Sequence, residues 1–483
     1  MKILIEMKHT TIAILAFAIA ALLPSSAYAS VHGGKDPKKG YKFTLTIANN
    51  HDTVMYLGNY YAGKTFAIDT AYINKKGSFV FENKQRTLPP GLYFFTNPEG
   101  NYVEFMVYHE ELDFTFSTSE SNWTQNMKVK GSVENEHFYR FHHANYSTHR
   151  AIDSAYKAMG NSPEYKAFVN KSMVTLDSIK EAMIAARPQS MLALMMTSTR
   201  PMDVPTVDSN GNKMSEQERW EYMMYHFFDY MKLDDDAMVR TPARIFRQRV
   251  DYYIDTCLHN APPETVCKYV DMLIDKSKPA KENMRYLVET LAEKYLQSNI
   301  MSYDAVYVHI VKRYIETGEC TWMSPSTVDY NVKRANTWDK LLIGRDAPEL
   351  IMKDDKGQWH SLHSLNHKYT LLVFWSPTCG HCKTMIPELY TKFQQYRGKY
   401  DICAYAVLSE PDAETRPKWH EFIEKHHLDW LNIDGGEANI DWHEVYDVIT
   451  TPQIYLLDKD KIILAKRLNA DSFEMVIKAI EGK

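Results

Sequence analysis

The 483-residue sequence predicts a multidomain protein with an α/β domain at its C-terminus, preceded by an antiparallel β-sandwich and an all-α bundle. Three observations support this prediction. Short strand-like runs separated by turn residues occupy residues 41–131, and helical periodicity follows over residues 132–335. Within residues 341–483, an apolar strand leads through a Cys-x-x-Cys pair into a helical pattern.

The N-terminus has the pattern of a secretory signal peptide. Lys2 and Lys8 precede an apolar stretch, Thr11–Leu23, and Ala27-Tyr28-Ala29 is a small-residue cleavage site. We expect cleavage near Ala29, so that residues 1–29 are removed and the mature protein is exported to the periplasm. An uncleaved anchor is the alternative, although the apolar stretch is short for a membrane span.

Composition limits the function classes. Apolar residues make up 45% of the chain and aromatic residues 13%, which is ample for packed cores. The formal net charge is −5 and no large basic patch occurs, so the sequence does not favour a nucleic-acid partner. No apolar stretch after the signal peptide reaches membrane-spanning length, so we expect no membrane span in the mature chain.

Residues 41–131 are predicted to form the antiparallel β domain, a small sandwich or barrel. Lys76-Gly77, Pro89-Pro90-Gly91 and Pro98-Glu99-Gly100 separate its strand-like runs. The predicted strands are Phe43–Ile47, Val54–Leu57, Ser78–Phe81, Leu92–Phe95, Tyr102–Val107 and Leu112–Phe116.

Residues 132–335 are predicted to form the helical domain, in which we recognise no catalytic motif. Ser215 and Glu218 have the spacing of a capping box. We interpret Trp322–Pro325 as the exit into a connecting segment. The predicted helices are Glu134–Met159, Pro163–Ala186, Ser215–Met231, Arg240–His259, Glu264–Lys276, Lys281–Gln297 and Tyr303–Thr317.

Two features of the helical region have simpler interpretations than a functional site. Its first predicted helix is rich in histidines that do not fall on one face as a tight ligand set, so we interpret them as surface residues and predict no metal site. They are His137, His142, His143 and His149. Cys257 and Cys267 flank Pro262-Pro263, and the sequence leaves open whether they form a disulfide or remain buried thiols.

Cys379-Gly380-His381-Cys382 carries the chemistry that the sequence predicts. A cysteine at the first turn of a helix has its thiolate stabilised by unpaired N–H groups and the helix dipole, so Cys379 is the expected nucleophile. Cys382 lies on the apolar face of the predicted helix and is the expected resolving thiol. A structural disulfide or half of a zinc site is the alternative, but the sequence contains no second Cys-x-x-Cys.

Several motifs of residues 341–483 resemble the thioredoxin superfamily, and within it the TlpA-like periplasmic thiol-disulfide oxidoreductases. Gly344-Arg345-Asp346-Ala347-Pro348 resembles their entry hairpin, Trp375 stands four residues before the first cysteine, and Pro387 matches a helix-kinking proline. Thr450-Thr451-Pro452 resembles the loop whose proline is cis and lies beside the disulfide. The resemblance implies a thioredoxin-like fold, no cofactor, and a groove at Thr451 and Pro452 that binds a substrate strand.

Two positions depart from the resembled family. The acidic residue that many thioredoxins carry two positions before the tryptophan is Val373 here, and a glutamate that some TlpA-like proteins carry is Met385. The base that deprotonates Cys382 is therefore unidentified. Glu410, just past the predicted strand Ile402–Leu408, is a candidate, and a solvated loop carboxylate with no such role is the alternative.

His381 bears on the direction of electron flow. The pair Gly380-His381 is found in protein disulfide isomerases, whose reduction potential of about −180 mV is less reducing than the value of about −270 mV for thioredoxin. A cationic His381 would also stabilise the Cys379 thiolate. The sequence therefore leaves open whether the site reduces or oxidises its partners.

We therefore expect an exported thiol-disulfide oxidoreductase that exchanges disulfides with protein substrates, with a reductase supplied by an upstream dithiol protein as the leading version. A disulfide isomerase or oxidase is the alternative enzyme. In a different class, the β and helical domains bind peptide or glycan and the C-terminal domain recruits partners.

Overall fold

The computed structural model describes residues 40–108 and 111–482. The predicted signal peptide at residues 1–29 lies outside the described residues. The chain divides into two compact units. The first comprises the chain up to His259 together with Lys276–Asn283, and the second comprises Asn260–Asp275 and the chain from Met284 onward. The predicted domain limits at 131 and 335 remain predictions.

Strands form the first part of the first unit. They are β1 (Tyr41–Ala48), β2 (Val54–Tyr61), β3 (Lys64–Tyr72), β4 (Ser78–Asn83), β5 (Gly91–Thr96), β6 (Tyr102–Val107), β7 (Asp113–Ser119) and β8 (Lys128–Lys130). Two four-stranded sheets result, with the orders β4-β1-β7-β8 and β3-β2-β5-β6. Phe43 of one sheet contacts Phe105 of the other edge-on at 5.3 Å, so aromatic side chains of both sheets share a core.

The antiparallel prediction is correct for all but one pair of these strands. β1 and β7 run parallel, whereas the other pairs of both sheets are antiparallel. A parallel pair needs a long crossover connection, and the five intervening strands provide it. The sequence prediction also omits β3 and β8.

Helices follow in the first unit. They are α1 (Val133–Met159), α2 (Pro163–Ala186), α3 (Met191–Ser198), α4 (Glu216–His226) and α5 (Arg247–Tyr252). The capping box is confirmed, because the Ser215 side chain accepts from the Glu218 N–H and the Glu218 carboxylate accepts from the Ser215 N–H. The prediction of one helix from Arg240 to His259 is wrong. The residue before Pro242, Thr241, has an extended backbone, as a residue preceding proline prefers, and α5 begins only at Arg247.

The remaining helices before the C-terminal sheet are α6 (Pro263–Ser277), α7 (Lys281–Leu296), α8 (Asp304–Ile310) and α9 (Pro325–Asp339). α9 occupies the stretch that the sequence analysis interprets as a connecting segment, so that interpretation is wrong. Its start has ordinary helix signals, since the Ser324 hydroxyl accepts from the Thr327 N–H and Pro325 lies in the first turn.

The C-terminal part of the second unit is an α/β domain. Its strands are β9 (Ile351–Asp354), β10 (Trp359–Ser361), β11 (Tyr369–Trp375), β12 (Ile402–Leu408), β13 (Leu431–Ala438), β14 (Gln453–Asp458) and β15 (Ile463–Lys466). Its helices are α10 (Gly380–Tyr400), α11 (Thr415–His426), α12 (Trp442–Val445) and α13 (Ala470–Ile480). The seven strands form one sheet of order β10-β9-β13-β12-β11-β14-β15.

The sheet topology gathers three loops at one edge. β11, β12 and β13 are parallel, so the segments that follow them lie at the same edge, and β14 runs antiparallel to β11 and starts there. Phe374 near the end of β11 pairs with Gln453 at the start of β14. The residues after β11, the residues after β12 and the residues before β14 therefore lie close together.

The described part of the chain contains no helix with both the length and the apolar character needed to span a bilayer.

Candidate active site

Cys379 lies at the junction between β11 and α10. β11 is buried along its whole length, because alternate side chains enter hydrophobic clusters on both faces of the sheet. The turn that follows is closed by the Cys379 N–H, which donates to the Ser376 carbonyl at 3.3 Å. α10 then begins at Gly380 with Cys379 as its N-cap. The predicted position of Cys379 at a helix N-terminus is confirmed.

The two cysteines of the pair have different environments. Cys382 lies on the inner face of α10 with no exposed surface, and burial raises the pKa of its thiol to about 12. Cys379 is half-buried. Its burial acts to raise its pKa, but hydrogen bonds with the Cys382 backbone and side chain, with Thr451 and with the His381 backbone more than offset this effect, so the pKa of Cys379 lies below its ordinary value.

The loop before β14 reaches the Cys379 sulfur. The Thr451–Pro452 peptide bond is cis, as the resemblance implies. The Cys379 thiol donates to the Thr451 carbonyl at a sulfur–oxygen distance of 3.2 Å. Thr451 and Pro452 are half-buried, and the nearby Ile449 side chain is 69% exposed. The structure therefore brings Cys379 and the loop of Thr451 and Pro452 together near the surface, as the sequence predicts.

Trp375 and His381 occupy opposite environments. Trp375 is wholly buried, packs its ring against Phe422 at 5.1 Å, and shares a hydrophobic cluster with Cys382. It therefore lies on the core side of the cysteine pair, and its role as a support for the site remains a prediction. His381 is exposed in the first turn of α10, where its side chain is in contact with solvent.

Glu410 lies at the same sheet edge, in contact with the loop that precedes Cys379. One oxygen of its carboxylate accepts from the Ser376 hydroxyl at 2.7 Å and from the Thr378 hydroxyl at 2.8 Å. The Ser376 hydroxyl also accepts from the Thr378 N–H at 3.2 Å. Sequence reasoning missed Ser376 and Thr378, although a hydroxyl residue just before a helix N-cap is a typical loop-ordering signal. The role of Glu410 as the base for Cys382 remains a prediction.

The sequence analysis also considers a disulfide and a metal site in the helical region. Cys257 and Cys267 are both free cysteines, and burial raises their pKa values to about 11 and about 12. Over residues 40–108 and 111–482, no group of three or more His, Cys, Asp or Glu side chains is arranged to hold a metal ion.

Comparison with known families assigns the C-terminal domain. The AhpC/TSA family matches residues 343–466, and two domains of unknown function, DUF4369 and DUF5106, match residues 41–138 and 178–334. The thiol-disulfide oxidoreductase ResA of Bacillus cereus is 25% identical over 139 residues, which cover 29% of this chain and 76% of that protein. The chain belongs to the thioredoxin superfamily. The thioredoxin-like fold predicted for its C-terminus is confirmed.

Solved structures of thioredoxin-like proteins are also similar to this chain. A thioredoxin-like protein from Bacteroides caccae is 21% identical with a TM-score of 0.48, over 58% of this chain and 98% of that one. A domain of a possible thiol-disulfide isomerase from Cytophaga hutchinsonii is 35% identical with a TM-score of 0.27, over 29% of this chain and 97% of that one. The curated homologues support a thiol-disulfide oxidoreductase-like function for the thioredoxin-like domain.

The different acidities of the two thiols predict different alkylation profiles. Thiolate is the species that reacts, so each rate rises with pH through the pKa of its thiol. In single-cysteine variants, Cys379 should reach half of its maximal rate with iodoacetamide at a lower pH than an ordinary cysteine does, because its pKa is lowered. Cys382 should still be far below its maximal rate there, because its pKa is about 12. Faster modification of Cys382 at neutral pH would contradict the assignment.

Proposed function

We propose that this protein is an exported thiol-disulfide oxidoreductase that exchanges disulfides with protein substrates and acts as a reductase. The observation that carries the proposal is the acidic Cys379 thiol at the N-terminus of α10, one turn from the buried Cys382 thiol. The named activity of the curated relatives supports the same reaction class. Export to the periplasm rests on the signal-peptide pattern of residues 1–29.

In the first step, the Cys379 thiolate attacks one sulfur of a substrate disulfide. A bond forms between Cys379 and that sulfur, the substrate S–S bond breaks, and the other substrate sulfur leaves as a thiolate that takes a proton from solvent. The N-terminal N–H groups of α10 stabilise the attacking thiolate, and the exposed surface at Thr451 and Ile449 gives the substrate access.

In the second step, Cys382 releases the product. Its thiol loses a proton and attacks the Cys379 sulfur, so that the mixed disulfide breaks and the second substrate sulfur leaves as a thiolate that takes a proton from solvent. The substrate has then gained two electrons and two protons, and Cys379 and Cys382 form a disulfide. Glu410 is our candidate for the base, because its carboxylate lies beside the loop whose Ser376 backbone hydrogen-bonds Cys382.

A second dithiol protein must reduce the Cys379–Cys382 disulfide after each cycle. The partners are therefore protein disulfides on one side and an upstream dithiol donor on the other. The reaction transfers electrons between sulfur atoms alone, so the mechanism uses no cofactor.

Substrate docking is assigned to Thr451 and Pro452. Because the Thr451 carbonyl reaches the Cys379 sulfur, a substrate chain that lies against this loop has its disulfide next to the nucleophile. An extended peptide can pair its backbone with such a loop, and backbone pairing tolerates many substrate sequences.

One observation favours the alternative of a peptide- or glycan-binding protein that uses the thioredoxin-like domain to recruit partners. In the first unit, an open hollow of about 360 Å³, whose lining surface is mostly apolar, is bordered by residues that carry amide, hydroxyl and imidazole groups and by one tyrosine ring. Groups of these kinds hydrogen-bond sugar hydroxyls and stack on sugar rings. They belong to Asn122, Thr124, Gln125, His142, Asn145, Tyr146 and His149.

Covalent trapping tests the proposal against this alternative. A Cys382→Ser variant of an exchange enzyme holds its substrates as mixed disulfides, whereas a pure binding protein forms none. Absence of adducts that dithiothreitol releases would contradict the exchange mechanism.

A further inference from the structure

The loop that carries Thr451 and Pro452 is held in place by a helix outside the thioredoxin-like domain. Residues 446–452, here called the docking loop, join α12 to β14. Within this loop, Asp447 has a φ of +48°, in the left-handed region that residues other than glycine adopt at a cost. Contacts from the rest of the second unit stabilise this conformation.

Two side chains of α9 contact Asp447. One carboxylate oxygen of Asp447 accepts from the Trp338 indole N–H at 2.5 Å and from the Arg334 guanidinium at 3.1 Å. The side chains of Arg334 and Asp447 are only 20% and 18% exposed. This ion pair is largely shielded from solvent, and its carboxylate oxygen accepts a second hydrogen bond. It therefore fixes the position of the Asp447 side chain more closely than an exposed ion pair would.

Trp338 is itself fixed by its neighbours. Its ring is 7% exposed and meets Tyr307 edge-on at 5.2 Å. The guanidinium groups of Arg334 and Arg467 lie 5.1 Å and 5.3 Å from its ring centroid. The indole N–H that binds Asp447 is therefore a rigid donor.

The strand beside the docking loop is tied to the same helical segment. β15 pairs with β14, and Lys466 at its end lies opposite Tyr455. Lys466 forms a buried ion pair with Asp304 at the start of α8, and the next residue, Arg467, donates to the Ser298 carbonyl. The docking loop and the start of β14 are thus held by the segment that runs through α8 and α9.

Building on the proposed function, we infer that Arg334, Trp338 and Asp447 are positioning residues for protein substrates. They fix the docking loop so that the Thr451 backbone is presented to an extended, disulfide-bearing segment next to Cys379. The helical segment before the thioredoxin-like domain then belongs to the exchange machinery, as a support for substrate docking.

Two variants test this inference. Asp447→Asn removes the charge but keeps a residue type that tolerates positive φ, and Trp338→Phe removes the indole N–H but keeps a ring. Each is compared with wild type for exchange with a protein disulfide, such as insulin, and with the small aromatic disulfide dithiobis(nitrobenzoate). Lys333→Ala is the matched control, because Lys333 lies on the same helix and pairs with Glu444 at an exposed site.

For both test variants, we expect the ratio of kcat/KM for insulin to that for the small disulfide to fall about fivefold to tenfold, mainly through a higher KM for insulin. The control should keep the wild-type ratio. An unchanged ratio in both test variants, or an equal fall in Lys333→Ala, would overturn the inference. Wild-type protein that exchanges neither disulfide would instead contradict the proposed function.

Discussion

A Cys382→Ser variant should accumulate covalent mixed disulfides with its substrates. Cys379 keeps its position at the N-terminus of α10, and its thiolate still attacks, but the sulfur that would release the substrate is gone. The first half of the reaction then proceeds and the second stops. Turnover with a protein disulfide should fall by at least about a hundredfold while adducts to Cys379 increase.

The variant is incubated with periplasmic extract and separated by non-reducing gel electrophoresis. Bands that disappear when the sample is reduced with dithiothreitol are then identified by mass spectrometry. A Cys379→Ser variant is the matched control, because it retains Cys382 but lacks the accessible, acidic thiol. It should form almost no adducts, since burial raises the pKa of Cys382 to about 12. Equal trapping by the two variants would contradict the assigned roles.

Lys466→Met should destabilise the second unit by about 3–5 kcal/mol. Lys466 and Asp304 form an ion pair whose side chains are only 6% and 2% exposed, and Lys466 also donates to the Leu341 carbonyl at 2.7 Å. Burial lowers the pKa of Lys466, and the neighbouring Asp304 opposes this effect. Loss of the lysine leaves a buried carboxylate without its partner, and that is the main cost.

Urea unfolding followed by circular dichroism measures this effect. Lys418→Met is the control, because Lys418 pairs with Glu414 at an exposed site and should change the free energy of unfolding by less than about 1 kcal/mol. The double variant Lys466→Met with Asp304→Leu removes both charges and should recover most of the loss. A single variant as stable as wild type would show that the pair contributes little.

The sequence predicts the placement of Cys379 and Cys382 well, because the signals for it come from neighbouring residues. An apolar strand, a following helix and the spacing of Cys379 and Cys382 depend on neighbouring residues, and the structure confirms the arrangement. The cis bond before Pro452 is predicted by the resemblance. Its proximity to Cys379 is a consequence of sheet topology, since β14 lies beside β11.

Other parts of the fold lack local signals. β3 is missed because Ala71 is its one buried residue, so its sequence has no apolar alternation. Its hairpin turn, Ala62-Gly63, has positive φ at both residues but begins with alanine, which is not a typical turn residue. The contacts of Asp447 with Arg334 and Trp338 join residues distant in sequence, and no spacing rule predicts them.

The most direct test of the central claim is a redox titration of the Cys379–Cys382 pair in glutathione buffers of defined potential, with alkylation and mass spectrometry as the readout. We expect a single two-electron transition between dithiol and disulfide, at a potential less reducing than that of the same site with proline in place of His381. The claim would be contradicted if Cys379 and Cys382 formed no intramolecular disulfide at any potential. It would also be contradicted if each cysteine instead formed a separate mixed disulfide with glutathione.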